Sequence, residues 1–144
     1  MKKYLVIGNP IEHSLSPKLH NYWFKKNKIN ASYDKKKIEK SEIQEIVSEI
    51  KGNKLDGLNV TVPFKSDVIP FLDELSEESK ITQSVNTIYM HDKKLIGHNT
   101  DIKGFELSLN ETQFNPQNKI IFILGAGGVA VSYTHLTLPT TTIV

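Results

Sequence analysis

Apolar residues arrive along this chain in short bursts, each closed by a polar, glycine or proline break. Tyr4-Leu5-Val6-Ile7 runs straight into Gly8-Asn9-Pro10, the pattern of a buried strand followed by a turn. Pro17 suits the first turn of a helix with Ser16 as its cap, and Leu19, Tyr22, Trp23 and Lys26 follow at helical spacing. Residues 31–37 read as a second strand. Ser41 opens a helix in which Gln44 completes a capping box and Ile43, Ile46, Val47 and Ile50 form one apolar stripe, with Gly52 as its stop. A third strand is predicted over 57–62, where Leu58, Val60 and Val62 face one way and Asn59 and Thr61 the other. Residues 68–72 and 73–80 predict short helical pieces. Residues 85–90 and 95–98 predict a hairpin joined across His91-Asp92-Lys93-Lys94.

A helix over 101–110 and a turn at Asn115-Pro116-Gln117-Asn118 come next. Residues 119–124 form a second apolar run that ends in Gly125-Ala126-Gly127-Gly128-Val129-Ala130. Strands alternating with helices predict an α/β layer fold, with a second unit starting near residue 119. The last dozen residues break this pattern, because they are rich in threonine, interrupted by Pro139 and poor in helix formers. They also resemble a translated adapter read-through, so residues from about Val131 are expected to be foreign and the natural protein to be truncated there. The expected organisation is a domain over 1–110, a linker with a first strand and glycine turn over 111–130, and a foreign tail over 131–144.

Composition narrows the class. With 144 residues, 38% hydrophobic and 24% charged, the chain suits one globular domain and the start of another. Eighteen basic against sixteen acidic residues leave a net charge of +2, so no strong field draws in nucleic acid or an anionic membrane. The absence of cysteine excludes disulfides, thiolate nucleophiles and cysteine-based metal sites, and fits a reducing compartment. The longest apolar runs fall far short of the ~20 residues that cross a bilayer. A cytoplasmic protein is the expectation.

The candidate chemistry lies at element boundaries. Ser14 and Ser16 sit at a helix start, whose free N–H groups and partial positive charge seat a carboxylate, although Ser16 could simply be a cap. Asn59-Val60-Thr61-Val62-Pro63-Phe64-Lys65 delivers an amide, a hydroxyl and an ammonium to the end of one strand, where open α/β sheets bind ligands. An ordinary solvated lysine is the plainer alternative. Asn86-Thr87 and Asn99-Thr100-Asp101 put amides and a carboxylate at further boundaries, and Asp101 read by itself is a helix cap. His98 reads as structural, and His13 and His20 have no carboxylates at metal-ligand spacing, so no metal is expected. The glycine turn at 125–130 follows a strand, as a phosphate cradle should, but G-x-G-G-x-A is a weak signal by itself.

In this order, these segments resemble shikimate dehydrogenase, from Tyr4 to Ala130. The resemblance implies a three-layer α/β substrate-binding domain with a mainly parallel sheet, followed by an incomplete Rossmann unit. It implies an NADP-dependent oxidoreductase that interconverts 3-dehydroshikimate and shikimate in aromatic amino-acid biosynthesis. It assigns the substrate carboxylate to Ser14 and Ser16, and the ring oxygens to Asn59, Thr61, Asn86 and Asp101. Lys65 becomes the acid/base residue with Asp101 as its partner. Glu77, Gly125, Ala126, Gly127, Gly128 and Val129 become cofactor contacts. A monomer or homodimer acting on a small molecule, without nucleic acid or membrane, is implied. The truncated chain itself is expected to bind substrate without turnover.

The chemistry is sound from first principles, since reducing a ketone needs a hydride and a proton for the developing alkoxide. A lysine ammonium supplies that proton and stabilises the growing charge. Two alternatives stay open: a relative that prefers quinate or NAD, and a non-catalytic module that recognises shikimate-like carboxylates.

Overall fold

Alternation along the first strand decides the layering. In β1 (Lys2–Gly8) successive side chains point to opposite sides of the sheet. Val6 packs with Ile11, Tyr33, Tyr4 and Phe24, the last of these on helix α1 (Ser16–Lys26). Its neighbour Ile7 joins the larger cluster on the other side, which contains Ile43, Ile46, Val47 and Ile50 of α2 (Ile43–Lys51). The sheet is therefore sandwiched between α1 and α2, and the three-layer α/β expectation holds. The computed structural model describes residues 1–112, 114, 121–123 and 141–143.

The sheet has six strands in the order β2-β1-β3-β5-β6-β4. These are β2 (Ala31–Lys37), β3 (Gly57–Val60), β4 (Glu74–Leu75), β5 (Thr87–His91) and β6 (Lys94–His98) around β1. β1 runs parallel to β2 and β3, and β4 parallel to β6, while β5 is antiparallel to both β3 and β6. The sheet is mixed but mainly parallel. Asp92 and Lys93, at φ of 47° and 64°, close the β5–β6 hairpin with the paired positive φ that matches strand twist. Asp34, Lys35, Lys36 and Lys37 are all exposed on the edge strand β2, where charge discourages addition of another strand. The remaining helices are α3 (Glu77–Thr82) and α4 (Asp101–Glu111).

Four local expectations are corrected. The α1 stripe does not dock: Leu19, Tyr22 and Trp23 are 46%, 60% and 45% exposed, and the face that meets the sheet carries His20 and Phe24. The reciprocal cap before α2 involves Glu39 and Glu42 rather than Ser41 and Gln44. The Glu39 N–H donates to Glu42 Oε2 at 2.7 Å, and a short 3₁₀ turn (Lys40–Glu42) takes the place of the first helical turn. The third strand ends at Val60, so Val62 is exposed instead of continuing the buried row. Finally, Glu74 and Leu75 form a strand opposite Ile96 and Gly97 where a helix was expected, and α3 begins only after Ser76, whose Oγ accepts the Ser79 N–H. An open position beside β6 decided that competition in favour of backbone pairing.

A separate two-stranded parallel sheet joins β7 (Ile121–Ile123) to β8 (Thr141–Ile143). β8 lies in the segment read from the sequence as a foreign tail. Its Thr-Thr-Ile stretch is β-branched throughout, a composition that favours a pleated strand.

The layering sets a stability contrast. Ile46→Ala, at 2% exposure within the α2 stripe, is expected to cost about 2–5 kcal/mol in urea unfolding of the chain. Leu19→Ala is expected to stay within about 0.5 kcal/mol of the parent. Equal losses would show that α1 buries its leucine after all.

Candidate active site

Strand polarity gathers the chemistry at one end of the sheet. Because β5 runs against β3, its first residues lie beside the carboxyl end of β3, and the hairpin returns the end of β6 to the same place. In register, Val6 of β1 stands opposite Asn59 of β3, and Asn59 opposite Thr87 of β5. Residues so paired share a face. That face is the one covered by α1.

The loops after β1 and β3 are held together by their backbones. Thr61 N–H donates to Ile7 O at 2.9 Å and Asn9 N–H to Val62 O at 3.0 Å. Gly8 permits this approach, since a Cβ there would lie 2.6 Å from Thr61 Cγ2. The Asn9–Pro10 and Val62–Pro63 peptides in these loops are both cis.

Lys65 follows on a segment anchored by the buried Phe64 and Val68, with Lys65 O accepting the Val85 N–H at 2.8 Å. Its Nζ lies 2.6 Å from Asp101 Oδ2, with the two side chains only 12% and 24% exposed. A lysine thus held is not a solvated surface group, and the charge-assisted bond is stronger than an exposed pair. Asp101 is not a cap either. Its other oxygen, Oδ1, accepts from Asn86 Nδ2 at 2.8 Å, and its backbone N–H donates to Asn99 Oδ1 at 2.8 Å. Asn99 is buried and is itself fixed through Nδ2 to Ser84 O at 3.0 Å and Thr82 Oγ1 at 3.3 Å.

Asn86 uses its whole hydrogen-bonding capacity. Nδ2 donates to Asp101 and to Thr100 Oγ1, and Oδ1 accepts from Thr87 Oγ1 and the Thr100 N–H. Asn59 Nδ2 donates to Asn86 O and Thr87 Oγ1, both at 3.0 Å, and its Oδ1 accepts the Tyr33 hydroxyl at 2.6 Å. Tyr33 is 3% exposed and stacks on His20 with ring centroids 4.2 Å apart. Burial pushes its phenol well above the ordinary range, and a hydrogen bond from Ser16 opposes that shift. Ser16 is no cap, because Leu15 holds the N-cap position without a side-chain bond and the Ser16 N–H donates to Ser14 Oγ at 3.3 Å.

The first residues of α1 complete the site. Ser14, Ser16 and Thr61 line a cavity of about 250 Å³ together with Val6, Pro10, Ile11 and His13. The first turn of α1 carries no acidic residue, which leaves its partial positive charge unopposed. A larger cleft of about 490 Å³ beside β4 is lined by Ile69, Leu72, Asp73, Glu74, Leu75 and Lys80, where no comparable polar network converges.

This arrangement has known counterparts. The family model for the shikimate dehydrogenase substrate binding domain matches residues 6–88, which hold every strand and loop of the site up to Asn86. The chain belongs to that family. A shikimate dehydrogenase (NADP(+)) of Pelagibacter ubique is 63% identical over 91% of this chain and 49% of the relative. The chain spans about half the length of the curated relatives it matches. Among solved structures, a shikimate dehydrogenase of Peptoclostridium difficile superposes with a TM-score of 0.93 at 30% identity, over 99% of this chain and 56% of that one. A shikimate 5-dehydrogenase of Listeria monocytogenes, solved with shikimate and NAD, has a TM-score of 0.89 at 31% identity, over 99% and 51%.

Within this family member the structure brings Ser14, Ser16, Asn59, Thr61, Lys65, Asn86 and Asp101 to one end of the sheet. Glu77 lies apart on the exposed first turn of α3, where its carboxylate pairs with Lys80 at 2.6 Å. Gly125, Ala126, Gly127, Gly128 and Val129 lie outside the described residues. Tyr33 escaped the sequence reading, which marks Thr87, Asn99 and Thr100 only as polar residues at element boundaries, without a role. Asn99 and Thr100 directly precede Asp101 in a segment already singled out. Tyr33 left only a weak signal, a lone aromatic in a polar strand. Among the described residues no helix is long and apolar enough to cross a membrane.

The His20–Tyr33 stack sets a pH dependence. Burial holds the His20 imidazole below its ordinary value of 6.5, so the folded chain favours the neutral ring. The unfolded chain takes up the proton first as pH falls. This contribution to stability is complete above pH 6.5 and declines as pH drops through the folded-state value. Replacing His20 with Gln is expected to flatten the urea midpoint profile just below pH 6.5, and an unaltered profile would contradict the assignment.

Proposed function

We propose that this chain forms the substrate-binding half of an NADP-dependent shikimate dehydrogenase, which reversibly reduces 3-dehydroshikimate to shikimate. The observation that carries the reading is the Lys65–Asp101 pair, fixed at 2.6 Å and wired through Asn86 to Asn59. Family membership and the names of the relatives support the substrate and the cofactor. The donor set suits a carbonyl that becomes an alcohol, with one ammonium beside amides and hydroxyls that hold neighbouring ring oxygens.

Each residue then has a task. The N–H groups at the start of α1 and the hydroxyls of Ser14 and Ser16 hold the ring carboxylate. Thr61, Asn59 and Asp101 orient the ring hydroxyls, and Asn86 serves the substrate by holding Asp101 and Thr100 in place. Lys65 Nζ donates a proton to the oxygen of the reacting carbonyl as negative charge develops there, and takes it back in the oxidative direction. Asp101 Oδ2 keeps Nζ in place throughout. The nicotinamide, when bound, supplies the hydride, and the glycine turn at 125–129 with Glu77 would hold its nucleotide. We also propose the division into a substrate domain over 1–110, a connecting unit over 111–130 and a foreign tail over 131–144.

Shikimate titrated into the chain should shift the amide signals of Ser14, Ser16, Thr61 and Asn86, and Ser16→Ala should weaken the binding. Silence at those positions would overturn the reading. In the complete enzyme, Lys65→Ala is expected to lower kcat by ~10²–10⁴-fold while KM moves less than about tenfold. An unchanged kcat would remove Lys65 from the chemistry.

A further inference from the structure

Asn99 is a fully buried amide to which the mechanism above gives no task, and its partners Thr82 and Ser84 are buried as well. Its Oδ1 accepts the Asp101 N–H at 2.8 Å, and its Nδ2 donates to Ser84 O at 3.0 Å and Thr82 Oγ1 at 3.3 Å. One end faces an N–H that can only donate and the other a carbonyl that can only accept, so the amide has a single orientation. Thr100, at the N-cap position of α4, makes no side-chain cap bond. Asn99 therefore supplies the acceptor that a helix-start N–H needs.

The Ser84–Val85 peptide gives that amide its significance. Its carbonyl accepts from Asn99, and its N–H donates to Lys65 O at 2.8 Å. In a planar trans peptide these groups point in opposite directions, so one rigid unit holds Lys65 on one side and Asn99 on the other. The Val85 side chain anchors this unit in the larger hydrophobic cluster. A closed ring of direct hydrogen bonds results. It runs from the Lys65 backbone through the peptide to the Asn99 amide, on to the Asp101 backbone, and from Asp101 Oδ2 back to Lys65 Nζ at 2.6 Å. Without Asn99, the Asp101 backbone loses its tie to the core, and its carboxylate is held only by the side chains it has to position.

We propose that Asn99 is the positioning residue of the Lys65–Asp101 pair, setting through the Ser84–Val85 peptide where the Asp101 carboxylate stands for Lys65 and for a ring hydroxyl. This rests on the shikimate reading of the same site. Two ligands separate positioning from folding: shikimate, and cyclohex-1-ene-1-carboxylate, which keeps the carboxylate and lacks the ring hydroxyls. In the Asn99→Ala chain, shikimate should bind about three- to tenfold more weakly, the size of one lost hydrogen bond. The hydroxyl-free acid should bind as before. Asn99→Asp keeps an acceptor for the Asp101 N–H but sets a second oxygen against Ser84 O, so it should match Asn99→Ala at neutral pH. In mild acid the new carboxyl takes up a proton and donates to Ser84 O, which should restore shikimate binding to that of the unaltered chain at the same pH.

Equal weakening for both ligands would overturn the proposal in favour of a purely structural Asn99, and unchanged shikimate binding in Asn99→Ala would overturn it outright. Should Asn99→Ala fail to fold, Asn99→Asp, which preserves the side-chain volume, decides the matter alone. Shikimate affinity level with the unaltered chain from neutral to mildly acidic pH would then overturn the proposal, as would a loss that mild acid does not reverse. Failure of the unaltered chain to bind shikimate would remove the functional reading and this inference with it. Intact binding with an indifferent Asn99 would remove the inference alone.

Discussion

The antiparallel pairing of β3 with β5 is the constraint on which the site depends. Had β5 continued the parallel pattern of β1 and β3, its first residues would lie at the opposite end of the sheet. Reversal places Asn86 and Thr87 beside Asn59, and the tight β5–β6 hairpin then returns the chain to Asn99 and Asp101. The ion pair of Lys65 with Asp101 joins residues 36 positions apart only because of that return. Each later contact, from Val85 N–H on Lys65 O to Asn86 on Asp101, tightens the same junction.

The junction is rigid because its amides are saturated. Asn86 has no spare donor or acceptor, Asn59 has one lone pair, and Asn99 is committed on both its oxygen and its nitrogen. In a partly buried setting such groups hold their orientation, since any rotation would leave a polar atom unpaired. The Lys65 ammonium is thereby held in one place by Asp101 without any ligand. Selectivity follows from the same accounting, because a ligand must match the few positions left open.

Helix α1 meets two demands at once. Its start places Ser16 at the rim of the cavity, and its body must cover the sheet above Val6 and Tyr33. Asn21 serves the second demand, bracketing Tyr33 through both its N–H at 3.0 Å and its carbonyl at 2.7 Å. His20 and Phe24 complete the cover with rings rather than aliphatic chains. The helix therefore rests on a polar, aromatic contact, and its one leucine, Leu19, stays outside.

Much of this was legible in the residues themselves. Short apolar runs closed by glycine or proline marked β1 and β3, the Ile43, Ile46, Val47 and Ile50 stripe marked α2, and the polar residues at strand ends marked the site. These signals are local, since period and turn chemistry depend on near neighbours. The glycine turn and its cofactor role remain a matter of sequence. Other features were decided by tertiary packing. Glu74 and Leu75 became a strand because β6 offered a free edge, and Ser16 is the first helical residue rather than the cap because the cap position falls one residue earlier, at Leu15. Whether Asp101 caps a helix or holds a lysine turns on a residue 36 positions away, and whether the Tyr33 hydroxyl finds Asn59 turns on which strands lie beside it. Periodicity carries no information about such distant partners, and only the folded sheet brings them within a hydrogen bond of each other.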